Sequence, residues 1–145
     1  MIGLLQRVTR ASVSVQGETV ASIGPGLLVL VGVRPEDQPV QADRLLDRLL
    51  GYRVFADAQG RMNRSLRDTT GGLLLVPQFT LAADTRSGAR AGFSTAAAPQ
   101  RARELYEYLV ARAREAWNPV GSGVFGADMQ VELVNDGPVT FWIES

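Results

Sequence analysis

Asn135-Asp136-Gly137-Pro138-Val139-Thr140-Phe141-Trp142 decides how the chain is read. Before it, Met129, Val131 and Leu133 alternate with Gln130 and Glu132; after it, Val139, Phe141 and Ile143 alternate with Thr140, Trp142 and Glu144. Period-two alternation marks half-buried strand on both sides. Between the two runs lies a Gly-Pro peptide. Pro138 has no N–H for a ladder and its ring fixes φ, and it restricts Gly137 in turn. Asn-Asp-Gly is a turn signal, so in isolation the segment reads as a hairpin.

Working outward, the run Leu73-Leu74-Leu75-Val76 reads as a buried strand and closes on Pro77-Gln78-Phe79-Thr80-Leu81. Upstream, strands are predicted over 2–10 and 11–16, a turn at Gln16-Gly17-Glu18, then strands over 19–23 and 27–33, broken by Gly24-Pro25-Gly26. A helix is predicted from Pro39 to Leu50, with Ala42, Leu45, Leu46 and Leu49 on one face and Gly51 at its end. Tyr52 to Ala56 reads as a strand. A second helix begins near Pro99 with the stripe Ala102, Leu105, Tyr106, Leu109, Ala113 and Trp117, stopped by Asn118-Pro119. Strands from about Asp128 finish the chain. Without alternating βαβ order, these elements predict one α+β domain over 1–145: a curved, barrel-like β-sheet with two main helices laid on it.

Composition narrows the chemistry. The 145 residues include no Cys, no His and no Lys, so all fifteen basic residues are Arg. A Ser-His-Asp triad, a Cys nucleophile, a Lys Schiff base, a P-loop lysine and a His/Cys zinc site are therefore excluded. Asp57 to Asn63 lacks calcium-loop spacing and reads as a turn. No metal and no cofactor is expected. Formal net charge is zero, so no global field gathers nucleic acid and any RNA contact is local. No apolar run reaches membrane-spanning length and no signal peptide is read at Met1–Arg7, which with the lack of Cys predicts a cytoplasmic protein with neither membrane nor DNA as partner. The segment 82–98, rich in Ala, Gly, Ser and Thr, exceeds ordinary loop length, and its Arg86 and Arg90 are candidates for phosphate contact against simple solvation.

Gln78-Phe79-Thr80-Leu81 and Gly137-Pro138, in this order, resemble the motifs of the D-aminoacyl-tRNA deacylase family. The opening Leu4-to-Val13, the segment Gly51-Tyr52-Arg53-Val54-Phe55 and the closing 135–142 run are similar to that family too, so the resemblance spans essentially the whole chain. Pro77 stands where the family usually has Ser, which removes a hydroxyl and leaves the neighbouring backbone and Thr80. The resemblance implies a two-fold homodimer that hydrolyses the ester of D-aminoacyl-tRNA, with glycyl-tRNA a further substrate. It implies that Gly137-Pro138 is cis and enters the other subunit's pocket, excluding an L side chain by clash.

On that reading Gln78, Phe79 and Thr80 are the catalytic segment, with the N–H groups of Phe79 and Thr80 as oxyanion donors. Thr80 has no base to activate it, so its hydroxyl is read as a positioning or structural group before a nucleophile. The Phe79 ring alone reads as core. Gln78 either orients the substrate's α-amino group or fixes the strand end. Arg7, Pro77, Leu81, Met129, Gly137, Pro138 and Val139 are the substrate-binding candidates. Arg7 matches a position that sets the motif's orientation, and Met129 is weighed between core and the adenosine pocket. Two other readings stay open on the residues alone: a catalytically silent RNA-binding module, and a structural or small-molecule-binding dimer.

Overall fold

The structure, a computed structural model, describes residues 1–145. Its elements are β1 (Ile2–Val15), β2 (Glu18–Ile23), β3 (Gly26–Gly32), α1 (Pro39–Gly51), β4 (Phe55–Ala56), β5 (Met62–Arg64), β6 (Gly72–Pro77), α2 (Pro99–Ala116), β7 (Val120–Ser122) and β8 (Gln130–Glu144). β1 is the spine. One of its edges pairs antiparallel with β3 through Ile2–Val8 and then with β2 through Ala11–Val15; the other carries β8 along nearly its whole length. β3 continues in parallel to β6, and β6 to β7. The sheet curls until β2 lies against β6 and β7, giving a nearly closed, barrel-like sheet with two helices outside it.

Alternation sorts the apolar run of each central strand between two cores. Leu27, Val29, Val31, Leu73 and Leu75 face α1 and α2, where Leu45, Leu49, Leu105, Leu109 and Ala113 meet them. Leu28, Leu74 and Val76 point the other way, into the curl, with Val8, Ala11, Val13 and Ile23. Because both faces of β3 and β6 are covered, their sequences read as unbroken apolar runs.

α1 begins at Pro39, whose missing N–H is no loss in a first turn, and Gln41 Oε1 accepts from the Gln38 N–H at 2.9 Å. Its buried face is the expected one with Leu50 added. α2 buries Ala102, Leu105, Tyr106, Leu109, Val110 and Ala113; Trp117 lies beyond its last turn and donates from Nε1 to Gly71 O at 2.9 Å. No helix is long and apolar enough to cross a membrane.

Several local expectations change. The predicted strands 2–10 and 11–16 are one strand, since β8 runs beside both halves and only a bulge at Val13/Ser14 interrupts the β2 register. The predicted strand 52–56 shrinks to Phe55–Ala56, paired with β5 outside the main sheet. Of the turn expected over Asp57–Asn63, only the first part is one, closed by Gly60 N donating to Asp57 O at 3.0 Å, because Met62 and Asn63 belong to β5. α2 ends at Ala116, just before Asn118-Pro119 as expected, and that peptide is cis.

The segment 135–142 is no hairpin. β8 keeps its direction along β1, pairing Thr140 with Gln6 and Asn135 with Val8. Residues 136–139 therefore face Arg7 alone and are pushed outward as a wide bulge, with Gly137-Pro138 cis and exposed. The turn signal of Asn-Asp-Gly is satisfied inside the strand.

Candidate active site

β6 stops pairing at Pro77. Gln78 N still donates to Val31 O at 2.7 Å, and the chain then enters a 3-10 turn over Phe79–Ala82. Gly32 lets this turn sit directly on β3, because a Cβ there would meet Leu81 Cβ at 3.0 Å. The first bond closing the turn runs from Leu81 N to Gln78 O at 3.3 Å, and the next from Ala83 N to Thr80 O at 3.1 Å. The N–H groups of Phe79 and Thr80 thus have no partner within the turn, as is general for the start of a helical segment. Both residues are exposed.

The turn is a ridge between two cavities. Pro77, Gln78 and Phe79 border one of about 440 Å³, completed by Ala97, Pro99 and Ala102 at the start of α2 and by Phe125, Met129 and Val131. Thr80 and Leu81 border the other, about 810 Å³, with Arg34, Asp84, Thr95 and Trp142 around it. The Phe79 ring is not core. It stands 56% exposed and packs on the Phe93 ring, with centroids 5.3 Å apart. Its strand has already ended, so the pleat that would have turned it inward is gone. Met129 is half-buried and belongs both to the rim of the inner core and to the wall of the smaller cavity.

Thr80 Oγ1 accepts from Gln78 Nε2 at 2.5 Å. An amide N–H is a donor and takes no proton from a hydroxyl, so this contact orients Thr80 without activating it. In the loop that follows, Asp84 and Gly92 exchange backbone bonds of 2.8 and 2.9 Å, and Thr95 Oγ1 donates to Ala82 O at 2.6 Å. Arg86 directs its fork at Asp84, with Nε at 2.9 Å and the nearer terminal nitrogen at 2.7 Å. That guanidinium holds the Asp84 carboxyl well below the usual carboxylate range, and the fork is occupied. Arg90 is exposed with no carboxylate partner.

Arg7, Gly137, Pro138 and Val139 gather separately and line neither cavity. Arg7 donates to Val54 O at 2.6 Å and from Nε to Asp136 O at 3.1 Å, and Asp136 Oδ2 lies 3.3 Å from the same nitrogen. Val139 N donates to Asn135 Oδ1 at 3.0 Å, and Asn135 Nδ2 to Thr140 Oγ1 at 2.8 Å. Gly137 has φ +132°, and a Cβ would come within 2.8 Å of Val139 Cγ2 and 3.1 Å of the Arg7 guanidinium. Only glycine fits the bulge without displacement.

Comparison with known proteins bears directly on this arrangement. The sequence model of the D-Tyr-tRNA(Tyr) deacylase family matches residues 4–144. The D-aminoacyl-tRNA deacylase of Stutzerimonas stutzeri is 63% identical over 145 residues, covering all of both chains; that of Thioalkalivibrio sulfidiphilus is 62% identical over 144 residues, covering 99% of this chain and 97% of its own. The chain belongs to the D-aminoacyl-tRNA deacylase family. A solved structure described as "c-Myc DNA Unwinding Element Binding Protein" superposes with a TM-score of 0.95 at 38% identity, covering 100% of this chain and 99% of that one. Another, described as a probable eukaryotic D-amino acid tRNA deacylase, shares the fold at a TM-score of 0.86 and 18% identity, covering 99% and 98%.

As a D-aminoacyl-tRNA deacylase the chain is a hydrolase, and aminoacyl-tRNA is its partner. Within one copy of this deacylase the sequence-marked residues fall into two sets on separate surfaces. The structure adds Phe125 to the first. Its ring is half-buried in the smaller cavity, tilted against Tyr106 with centroids 6.2 Å apart, and the Arg103 guanidinium lies 5.3 Å over its centre. The sequence held one signal for it, a lone aromatic between Gly123 and Gly126.

Proposed function

We propose that two copies of this chain form a two-fold dimer in which Gly137-Pro138 of one closes the cleft at Phe79–Thr80 of the other, and that this composite site hydrolyses D-aminoacyl- and glycyl-tRNA while sparing L-aminoacyl-tRNA. The observation that carries the reading is the turn Phe79–Ala82, exposed at Phe79 and Thr80, whose first two N–H groups find no acceptor in the turn and stand between two cavities.

An aminoacyl ester beside a free ribose hydroxyl is already reactive, so the protein needs no strong nucleophile. It has to hold the ester and stabilise an oxyanion; one such donor is worth about 10²–10³ in rate. The Phe79 and Thr80 amides supply that stabilisation. Water or the ribose 2′-hydroxyl supplies the attack. Gln78 and Thr80 hold the edge in shape through their mutual hydrogen bond. The apolar cavity with Phe125 and Met129 takes the terminal adenosine.

Dimerisation is supported by the separation of the two sets of marked residues and by the free edge of β8. That strand pairs only with β1, and it exposes Val134 and Trp142. An unpaired edge of this length invites a second chain. Arg7 braces the bulge so that its main-chain oxygens meet the substrate's α-amino side in a fixed direction. An L side chain then points into the bulge, whereas a D side chain points away and glycine has none. The enzyme works in the cytoplasm, where charged tRNA is made.

The test is ester loss from D-tyrosyl-, L-tyrosyl- and glycyl-tRNA incubated with the protein. Loss of the D and glycyl esters with survival of the L ester is expected. Equal loss of both stereoisomers would remove the chiral role, and no loss of any would remove the catalytic one.

A further inference from the structure

Beside the adenosine cavity runs a second groove, of about 310 Å³, that the hydrolytic chemistry does not use. One wall is a stripe of α2: Arg103, Tyr106, Glu107, Val110, Ala111 and Arg114. These positions recur every three or four residues, so they form one continuous face. The other wall is the 122–125 turn, held to α2 by the Tyr106 hydroxyl 2.9 Å from Ser122 Oγ. Phe125 belongs to both the groove and the adenosine cavity and is the partition between them. Arg103 lies at that partition, over Phe125 and beside Gly126. Arg114 lies at the far end, about 16 Å along the helix axis at 1.5 Å per residue.

The charges in the groove favour an anion. Two guanidiniums stand against one carboxylate, Glu107, which is 3.9 Å from Arg103 and more than half exposed. A pair so loose and wet contributes little and yields readily to a competing anion. Arg114 has no carboxylate partner, and the Arg103 side chain is 54% exposed. A positive groove with an aromatic at its mouth is the pattern that tracks a single-stranded nucleic-acid backbone.

We infer that this groove carries the single-stranded 3′ end of the tRNA, with Arg103 binding the phosphate attached to the 5′ oxygen of the terminal adenosine and Arg114 a phosphate further upstream. The inference rests on the deacylase reading above, because it takes the terminal adenosine to lie in the Phe125–Met129 cavity. Phe125 then keeps the nucleoside on its apolar side and leaves the phosphate to Arg103. The Arg103 guanidinium serves both, stacking by its face and donating by its edge.

Adenosine, adenosine 5′-monophosphate and the trinucleotide cytidylyl-cytidylyl-adenosine are measured as competitors of D-tyrosyl-tRNA hydrolysis by the wild type, Arg103→Gln and Arg114→Gln, each checked for an unchanged circular-dichroism spectrum. The monophosphate is expected to inhibit roughly tenfold more strongly than adenosine with the wild type and to lose that advantage with Arg103→Gln. The trinucleotide is expected to lose affinity with Arg114→Gln, and the salt dependence of its binding to flatten by about one unit of slope. A monophosphate no better than adenosine, or an advantage that survives Arg103→Gln, overturns the phosphate site while leaving hydrolysis intact. Absence of hydrolysis by the wild type overturns the deacylase reading and this inference with it.

Discussion

Arg7 Nε lies 3.1 Å from the carbonyl oxygen of Asp136, tying the middle of β1 to the outward bulge of β8. The same side chain donates to Val54 O, so one guanidinium fixes three stretches of chain relative to one another. Lysine carries a similar charge but lacks the planar fork that spans two acceptors. Arg7→Lys is expected to remain folded and to lose discrimination between D- and L-tyrosyl-tRNA by about tenfold, the worth of one charge-assisted hydrogen bond. Rates on the two esters, measured side by side, give the ratio; a ratio equal to that of the wild type removes Arg7 from stereoselection.

Thr80 accepts a hydrogen bond from Gln78 and faces no base. Thr80→Ala is therefore expected to keep hydrolysis of D-tyrosyl-tRNA within about tenfold of the wild type, since the amide N–H survives the substitution. Single-turnover kinetics decide it. A folded Thr80→Ala protein slower by several orders of magnitude would make the hydroxyl the reacting group.

Arg34 grips the Glu144 carboxylate with two nitrogens, at 2.8 and 3.2 Å, and the Trp142 Nε1 donates to it at 2.8 Å. These bonds, the Arg34 contact first, lower the Glu144 carboxyl from its ordinary 4.5 to about 2. A carboxyl depressed on folding stabilises the protein above its unfolded value and loses that contribution as pH falls through the folded one. Thermal denaturation of Glu144→Gln is expected to show a lower Tm than the wild type near neutral pH, with the two curves converging between pH 4.5 and about 2. Parallel curves over that range would remove the ion pair from the acid limb of stability.

The Tyr106 hydroxyl is buried between Leu75 O, at 2.8 Å, and Ser122 Oγ, and burial pushes its pKa up to about 12. Leu75 O keeps a second donor in Gly123 N at 2.8 Å, so removing the hydroxyl leaves no orphaned carbonyl there. Tyr106→Phe is expected to cost about 1 kcal/mol, or roughly 3 °C in Tm. Calorimetry reads this directly; a loss several times larger would mean the 122–125 turn detaches from α2.

A site completed by a second copy makes activity depend on concentration. Sedimentation equilibrium is expected to give twice the 15.6 kDa of one chain, and activity per chain to fall on dilution through the dissociation range. A monomer that hydrolyses the D ester and spares the L ester at full rate would contradict the composite site.

The cores were legible in the sequence because alternation and helical spacing report burial directly. Leu27 to Val33, the α1 face and most of the α2 stripe fall where the pattern places them. Errors arose where the partner of a segment is remote. The split of β1 at Arg10 is undone by β8, more than a hundred residues away, and the Asn-Asp-Gly turn signal is spent on a bulge because β1 continues past it. Phe79 is apolar yet exposed, since the strand that would have oriented it ends two residues earlier. Phe125 carries no periodicity at all and is placed by the tertiary packing of its turn on Tyr106.

The turn over Phe79–Ala82, exposed at its first two residues, also bears on how such an enzyme can change over time. Every residue except proline brings the same amide, so most codon changes at these positions leave the proposed catalytic groups in place. Drift is instead constrained at silent-looking supports such as Gly32, where an added carbon would press on Leu81 and the Gln78 carbonyl and crowd the turn against its bed.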